Sequence, residues 1–169
     1  MENQVCKEHI FARVHAKIAK DLHNFLFYKF GSQYNPDDIV QEAFVKLWEN
    51  CKNVPEEKAK SFLYTVGNNL AINKTKHQKV VWSYEKSQDE KATIDHYDPS
   101  FLLEEKEYER KLQAALASLS EEKRLTFMLN KVEGKKHQEI ADMLGISKKA
   151  VEKRIYVALK ELREKIDEL

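Results

Sequence analysis

The sequence predicts an all-α protein built as two small helical domains joined by a flexible linker, the C-terminal one a helix-turn-helix. Three observations predict it. Apolar residues recur at three- and four-residue spacing through most of the chain, and the Val/Ile/Thr alternation that strands need is scarce. Gly and Pro, which interrupt helices, number only four and three in 169 residues. Between Ser83 and Pro99 the periodicity gives way to "SYEKSQDEKATIDHYDP", a mixed-charge stretch of linker type in which Asp98-Pro99 opposes helix continuation. The expected layout is a first domain over 1–82, a linker over 83–100 and a second domain over 101–169.

Each element has its own warrant. From Val5 to Phe30, Ile10, Val14, Ile18, Leu22, Phe25 and Leu26 form one apolar stripe of a long first helix. In "YNPDDIVQEAFVKLWEN", Asn35 is a candidate cap and Pro36 suits the first helical position. Asp37 and Asp38 suit the positive end of the helix dipole. Ile39, Val40, Ala43, Phe44 and Leu47 supply that helix's buried face, and it should end near Asn50. "KNVPEEKAK" reads as a polar loop, after which Ser61 is a candidate cap for a third helix carrying Phe62, Val66, Leu70 and Asn73. Beyond the linker, helices are predicted over 101–117, 120–133, 137–144 and 147–168.

The last two predicted helices explain each other. Ile140, Ala141 and Leu144, then Ile146, Val151, Ile155, Leu159 and Leu162, can share one small core if the chain turns sharply at Gly145. Glycine tolerates the left-handed backbone of such a turn, and the Ser147 hydroxyl can cap the restarting helix. With the core face so assigned, Lys148, Lys149, Glu152, Lys153 and Tyr156 remain outside. Lysines beside a helix N-terminus, itself positive, make a phosphate-binding end whose next exposed residues reach base edges in a major groove. An inert helical hairpin with solvated lysines is the bland alternative.

Charge and composition narrow the function. A net charge of +1 leaves no global basic field, so any electrostatic footprint is local. The segment 131–160 carries about twice as many Lys and Arg as Asp and Glu, and 58–82 contains Lys with no acid, whereas 36–57 is acidic. Cys6 and Cys51 lack metal-ligand spacing and indicate neither a zinc site nor a disulfide framework, which suits a reduced, cytoplasmic setting. No segment has a signal-peptide core or the length to span a bilayer, so no membrane insertion is expected. The six His are dispersed, and no Gly-rich phosphate loop or nucleophile motif appears, so no catalytic residue, metal or cofactor is expected.

"DDIVQEAFVKLW", "FLYTVGNNLAIN" and "LSEEKRLTFMLNKVEGKKHQEIADMLGISKKAVEKRIYVALKELR", in this order and spacing, resemble the extracytoplasmic-function (group four) sigma factors of the bacterial sigma-70 family. The resemblance covers nearly the whole chain. It implies a non-catalytic protein that binds core RNA polymerase and directs it to promoters with minus-thirty-five and minus-ten elements, usually under control of an anti-sigma factor. By position, Asp38, Gln41, Glu42, Phe44, Leu47 and Trp48 would serve polymerase docking, with Phe44 and Leu47 the residues best suited to the core. Asn69, Asn73, Lys74 and Lys76 would serve the minus-ten strand, where amides read base edges and lysines meet phosphates. Lys79 extends that charge, and Tyr64, Trp82 and Tyr84 offer stacking surface or core packing.

Ser147, Lys148, Lys149, Glu152, Lys153, Arg154 and Tyr156 would serve the minus-thirty-five duplex. Departures from the family pattern include Phe62 for a usual Trp, Gly67 for a frequent Ala, and Ala150 for a common Thr. These leave the promoter sequence unread. The free protein is expected to be a monomer. A stand-alone helix-turn-helix regulator with a helical dimerisation or ligand domain is the rival reading, and it leaves "DDIVQEAFVKLW" unexplained.

Overall fold

In the computed structural model, which describes residues 4–75 and 99–167, every regular element among those residues is helical. The chain divides into two compact units, one up to Val81 and one from Trp82. The expected linker falls mostly outside the described residues. Its last two positions, 99 and 100, belong to the first turn of a helix that begins at Pro99, where a ring-locked φ suits the first helical position.

Unit 1 is a three-helix cluster, α1 (Glu8–Phe30), α2 (Pro36–Glu49) and α3 (Glu56–Thr75), preceded by a 3-10 turn over Gln4–Cys6. Ile10, Val14, Ile18, Leu22, Phe25 and Leu26 of α1 are buried as their spacing predicts, against Ile39, Val40, Ala43, Phe44 and Leu47 of α2 and Leu63 and Ala71 of α3. Gly67 lies where α3 crosses α1. A Cβ there would stand 3.3 Å from Leu22 Cδ1, so the missing side chain lets the two helices close up at the cost of helix propensity, ~1 kcal/mol relative to Ala.

Unit 2 holds α4 (Pro99–Ser118), α5 (Glu121–Lys131), α6 (His137–Leu144) and α7 (Lys148–Asp167). α7 packs on the other three. Val151, Ile155, Ala158 and Leu162 of α7 are buried with Leu119, Leu125, Met128, Leu129 and Ile140. Arg124 is buried too, and its guanidinium donates to the carbonyls of Leu119 at 3.1 Å and Ala117 at 3.5 Å, which closes the end of α4. Burial lowers its pKa, and the nearby Glu121 carboxylate opposes that shift. Between α5 and α7, Lys123 pairs with Glu161 and Arg154 with Glu122 at 3.0 Å.

Four expectations need correction. Cys6 and Cys51 form a disulfide, because the N-terminal 3-10 turn packs on α1 and α3 beside the turn that follows α2, and brings Cα atoms 45 positions apart in sequence to 5.1 Å. α3 starts at Glu56, so half of the expected polar loop is helix, with Glu56 and Glu57 favouring the N-terminal end of its dipole. Ser61 therefore sits inside α3, its hydroxyl donating to the Lys58 carbonyl. Asn35 adopts a left-handed backbone (φ 49°), and only its carbonyl accepts from α2, from the N–H groups of Asp38 and Ile39; its side chain makes no cap.

Candidate nucleic-acid interface

The α6–α7 turn is built as its residue types require. Gly145 takes the left-handed conformation (φ 66°, ψ 34°) and its N–H donates to the Ala141 carbonyl, ending α6. Ser147 Oγ then accepts from the Ala150 N–H at 3.1 Å, starting α7. At the other end of α6, Glu139 accepts from the Lys136 N–H at 2.7 Å. These bonds fix the direction in which α7 leaves the turn.

Positions 148, 149, 152, 153 and 156 share one helical face, opposite the buried positions 151, 155, 158 and 162. Lys148, Lys149, Glu152, Lys153 and Tyr156 are all exposed, Tyr156 most of all at 72%. Among the described residues none of the three lysines has an ion-pair partner, whereas the Glu152 carboxylate stands 3.6 Å from His137 Nδ1 at the start of α6. Arg154 is not on this face. It points back to Glu122 of α5, so the structure does not bring this minus-thirty-five candidate together with the lysines, and Ser147 is occupied as a cap.

On α3 a second surface forms. Asn69 and Asn73 are exposed one turn apart. The same helical face continues toward the N-terminus through Thr65, Phe62, Ser61 and Lys58, where with Asn53, Val54 and Pro55 of the preceding turn they line an open cavity of about 270 Å³. Its walls combine an apolar ring with an amide, two hydroxyls and an ammonium group. Lys29 Nζ of α1 donates to Asn68 Oδ1 at 2.6 Å, bracing α3 next to Asn69. Lys74 is exposed but leaves this face by the helical repeat, and Lys76, Lys79, Trp82 and Tyr84 lie outside the described residues.

Tyr64 is buried edge-on to Phe25 with ring centroids 4.9 Å apart, so it packs the core and offers no stacking surface. Its hydroxyl has no hydrogen-bond partner; burial, then the charge of Asp21, raises its pKa above the usual tyrosine range.

A third surface lies on α2. Asp38, Gln41, Glu42, Val45, Trp48 and Glu49 project from one face and all are exposed, with Val45 at 55% and Trp48 at 46%. Phe44 and Leu47 are buried on the opposite side and pack unit 1. The Trp48 ring rests edge-on against Phe11 of α1, centroids 5.0 Å apart, and so is held in place while half exposed. Among the described residues no group of three His, Cys, Asp or Glu could hold a metal ion, and no helix is long and apolar enough to cross a membrane.

Comparison with known proteins identifies the family of the chain. Residues 15–80 match the family model Sigma-70 region 2, and residues 109–162 match Sigma-70, region 4; together they cover well over half of the chain. The chain belongs to the sigma-70 family. The extracytoplasmic-function RNA polymerase sigma factor SigL of Mycobacterium tuberculosis is 29% identical over 146 residues, covering 82% of this chain and 78% of that protein. The extracytoplasmic-function RNA polymerase sigma factor SigE of Mycolicibacterium smegmatis is 24% identical over 135 residues, covering 79% of this chain and 52% of SigE, so the chain spans about half of that relative's length.

Among solved structures, CnrH in complex with the cytosolic domain of CnrY matches with a TM-score of 0.56 and 22% identity, covering 97% of this chain and 93% of CnrH. That likeness is one of fold. The chain is thus a sigma-70 family member similar to relatives described as extracytoplasmic-function sigma factors, and a stand-alone regulator is not favoured.

Two features of the sigma factor's surfaces escape a linear reading. Val45 stands at the centre of the exposed α2 stripe, yet an isolated Val in an amphipathic helix signals a core residue unless the whole face is mapped. The cavity residues become visible in sequence only when α3 is started at Glu56, which puts Lys58, Ser61, Phe62, Thr65, Asn69 and Asn73 in one register.

Proposed function

We propose that this protein docks on core RNA polymerase, brings it to promoters carrying minus-thirty-five and minus-ten elements, captures the melted minus-ten strand, and is released after initiation. Bond formation belongs to the polymerase. The observation that supports this best is the presence in one sigma-70 chain of two unlike surfaces for nucleic acid: a cationic helix start and an amide-lined face with a cavity. Duplex is read by the first. Lys148, Lys149 and Lys153 meet backbone phosphates, while Tyr156 and Glu152 reach base edges, Glu152 accepting from a cytosine amino group.

The second surface suits unstacked bases. Asn69 and Asn73 offer donors and acceptors to a base edge, and the cavity beside Phe62 takes a base turned out of the strand, with Lys58 for its phosphate. Lys74 and Lys76, next along the sequence, add positive charge for the strand's phosphates. The α2 stripe of Asp38, Gln41, Glu42, Val45 and Trp48 is the docking face for the polymerase, with polar groups around an apolar centre. Each contact is weak alone; the polymerase fixes their spacing and raises the effective concentration of the second once the first is made.

The same reading places the protein in the cytoplasm, monomeric when free, with an anti-sigma protein that covers these faces as a further partner. In-vitro transcription with purified core enzyme on a promoter library tests it. Enrichment of templates sharing two spaced elements, dependent on the chain, is the expected result; chain-independent initiation or binding to a single inverted repeat without core enzyme contradicts it.

A further inference from the structure

Cys6 and Cys51 join two parts of unit 1 that no other covalent link connects beyond the chain itself. Cys51 immediately follows α2, whose outer face carries Gln41, Glu42, Val45 and Trp48. Asn53, Val54 and Pro55, two to four residues further on, form one wall of the cavity. Besides the disulfide, that turn is held by local hydrogen bonds, from the Asn50 N–H and side-chain amide to the Lys46 carbonyl, the Cys51 N–H to Trp48, the Asn53 N–H to Asn50 and the Lys58 N–H to Pro55, and by burial of Val54. One covalent anchor therefore lies between two functional surfaces.

The bond is also placed for chemistry. Cys6 is half-buried, whereas Cys51 is buried. Cys6, in the 3-10 turn before α1, is the more exposed of the two residues and so the more open to an incoming thiol.

We propose that Cys6–Cys51 is a reversible thiol–disulfide switch that sets the order of the 50–55 turn and, through it, capture of the melted strand; this rests on the reading of α3 given above. In the reducing direction, a thiolate of a dithiol reductant attacks the Cys6 sulfur, and Cys51 leaves as a thiolate and takes up a proton. The second thiol of the reductant then displaces Cys6, so two protein thiols form as the dithiol becomes a disulfide. The reverse exchange, begun by the Cys6 thiolate on an oxidised dithiol, closes the bond again. Closed, the bond ties the cavity wall to the N-terminal turn across 45 positions of sequence; open, the wall is left to short-range hydrogen bonds and the buried Val54.

The full chain is equilibrated in glutathione buffers from fully reduced to fully oxidised, with thiols counted by alkylation and mass, and amide exchange is read over 50–63 with α7 as internal control. The expected result is a reversible thiol titration, with exchange over 50–63 about tenfold faster in the dithiol form and α7 unchanged. Cys6→Ser/Cys51→Ser should exchange like the dithiol form in every buffer. Promoter opening with core enzyme should fall about fivefold in the dithiol form while core retention stays the same.

Thiols that do not titrate, or equal exchange in both forms, overturn the switch. A turn that loosens without loss of promoter opening overturns its link to strand capture. Lack of core retention in both redox forms refutes the sigma-factor reading instead, and leaves the exchange result to decide the switch.

Discussion

α2 and α7 start from the same problem and end with opposite surfaces. Each commits one side to a small core, α2 through Ile39, Val40, Ala43, Phe44 and Leu47, α7 through Val151, Ile155, Ala158 and Leu162. What remains outside differs. On α2 it is acidic and amide groups around Val45 and Trp48; on α7 it is three lysines with Glu152 and Tyr156. An apolar centre with a polar rim gains from being covered by protein, and carboxylates repel phosphate, so α2 is suited to a protein partner. The α7 start adds lysines to an already positive helix end and is suited to a polyanion. The near-zero net charge of the chain hides this division.

The interiors differ as well. The core of unit 1 is apolar and cross-linked, whereas that of unit 2 encloses the buried Arg124. Arg124→Leu sharpens that contrast most. It leaves the Leu119 carbonyl without its donor and should cost about 3 kcal/mol, read as lost exchange protection in unit 2 with unit 1 unaffected. Equal loss in both units would break the comparison.

Lys148→Ala/Lys149→Ala/Lys153→Ala comes next. Three lost phosphate contacts should reduce the salt slope of duplex binding by about 2.7 and weaken binding about a hundredfold at moderate salt, measured by anisotropy at several salt concentrations. An unchanged slope would remove the lysines from the DNA face. Asn69→Ala/Asn73→Ala should slow promoter opening about tenfold while leaving duplex binding intact, which strand-resolved footprinting separates.

Tyr64→Phe is the smallest effect. Its hydroxyl is buried without a partner, so its removal should stabilise unit 1 by up to ~1 kcal/mol in thermal unfolding; a loss would mean the hydroxyl makes a bond.

The helices were legible because their apolar faces follow the helical repeat, and the α6–α7 turn because Gly145 and Ser147 have the chemistry that ends one helix and begins another. The start of α3 was misread since Glu56 to Lys60 has no apolar periodicity; the signals present were Pro55 and two Glu at the positive end of a helix. Cys6 and Cys51 could not be paired from sequence because no local rule connects residues 45 positions apart, and the tertiary packing of unit 1, with the N-terminal turn on α1 and α3, brings them together. Arg154 is a candidate through the family resemblance, whereas its helical position turns it from the lysine face toward Glu122. Where a residue's role depends on the neighbouring helix, the repeat along one helix does not report it.

The central claim is that the α2 face holds the polymerase and the α7 face holds DNA. Core RNA polymerase should be retained on the immobilised wild-type chain and on the triple lysine variant, and Gln41→Ala/Glu42→Ala should lose about tenfold in retention while keeping wild-type affinity for duplex promoter DNA. Failure of the wild-type chain to retain competent core enzyme, or equal retention by the Gln41/Glu42 variant, would contradict the account.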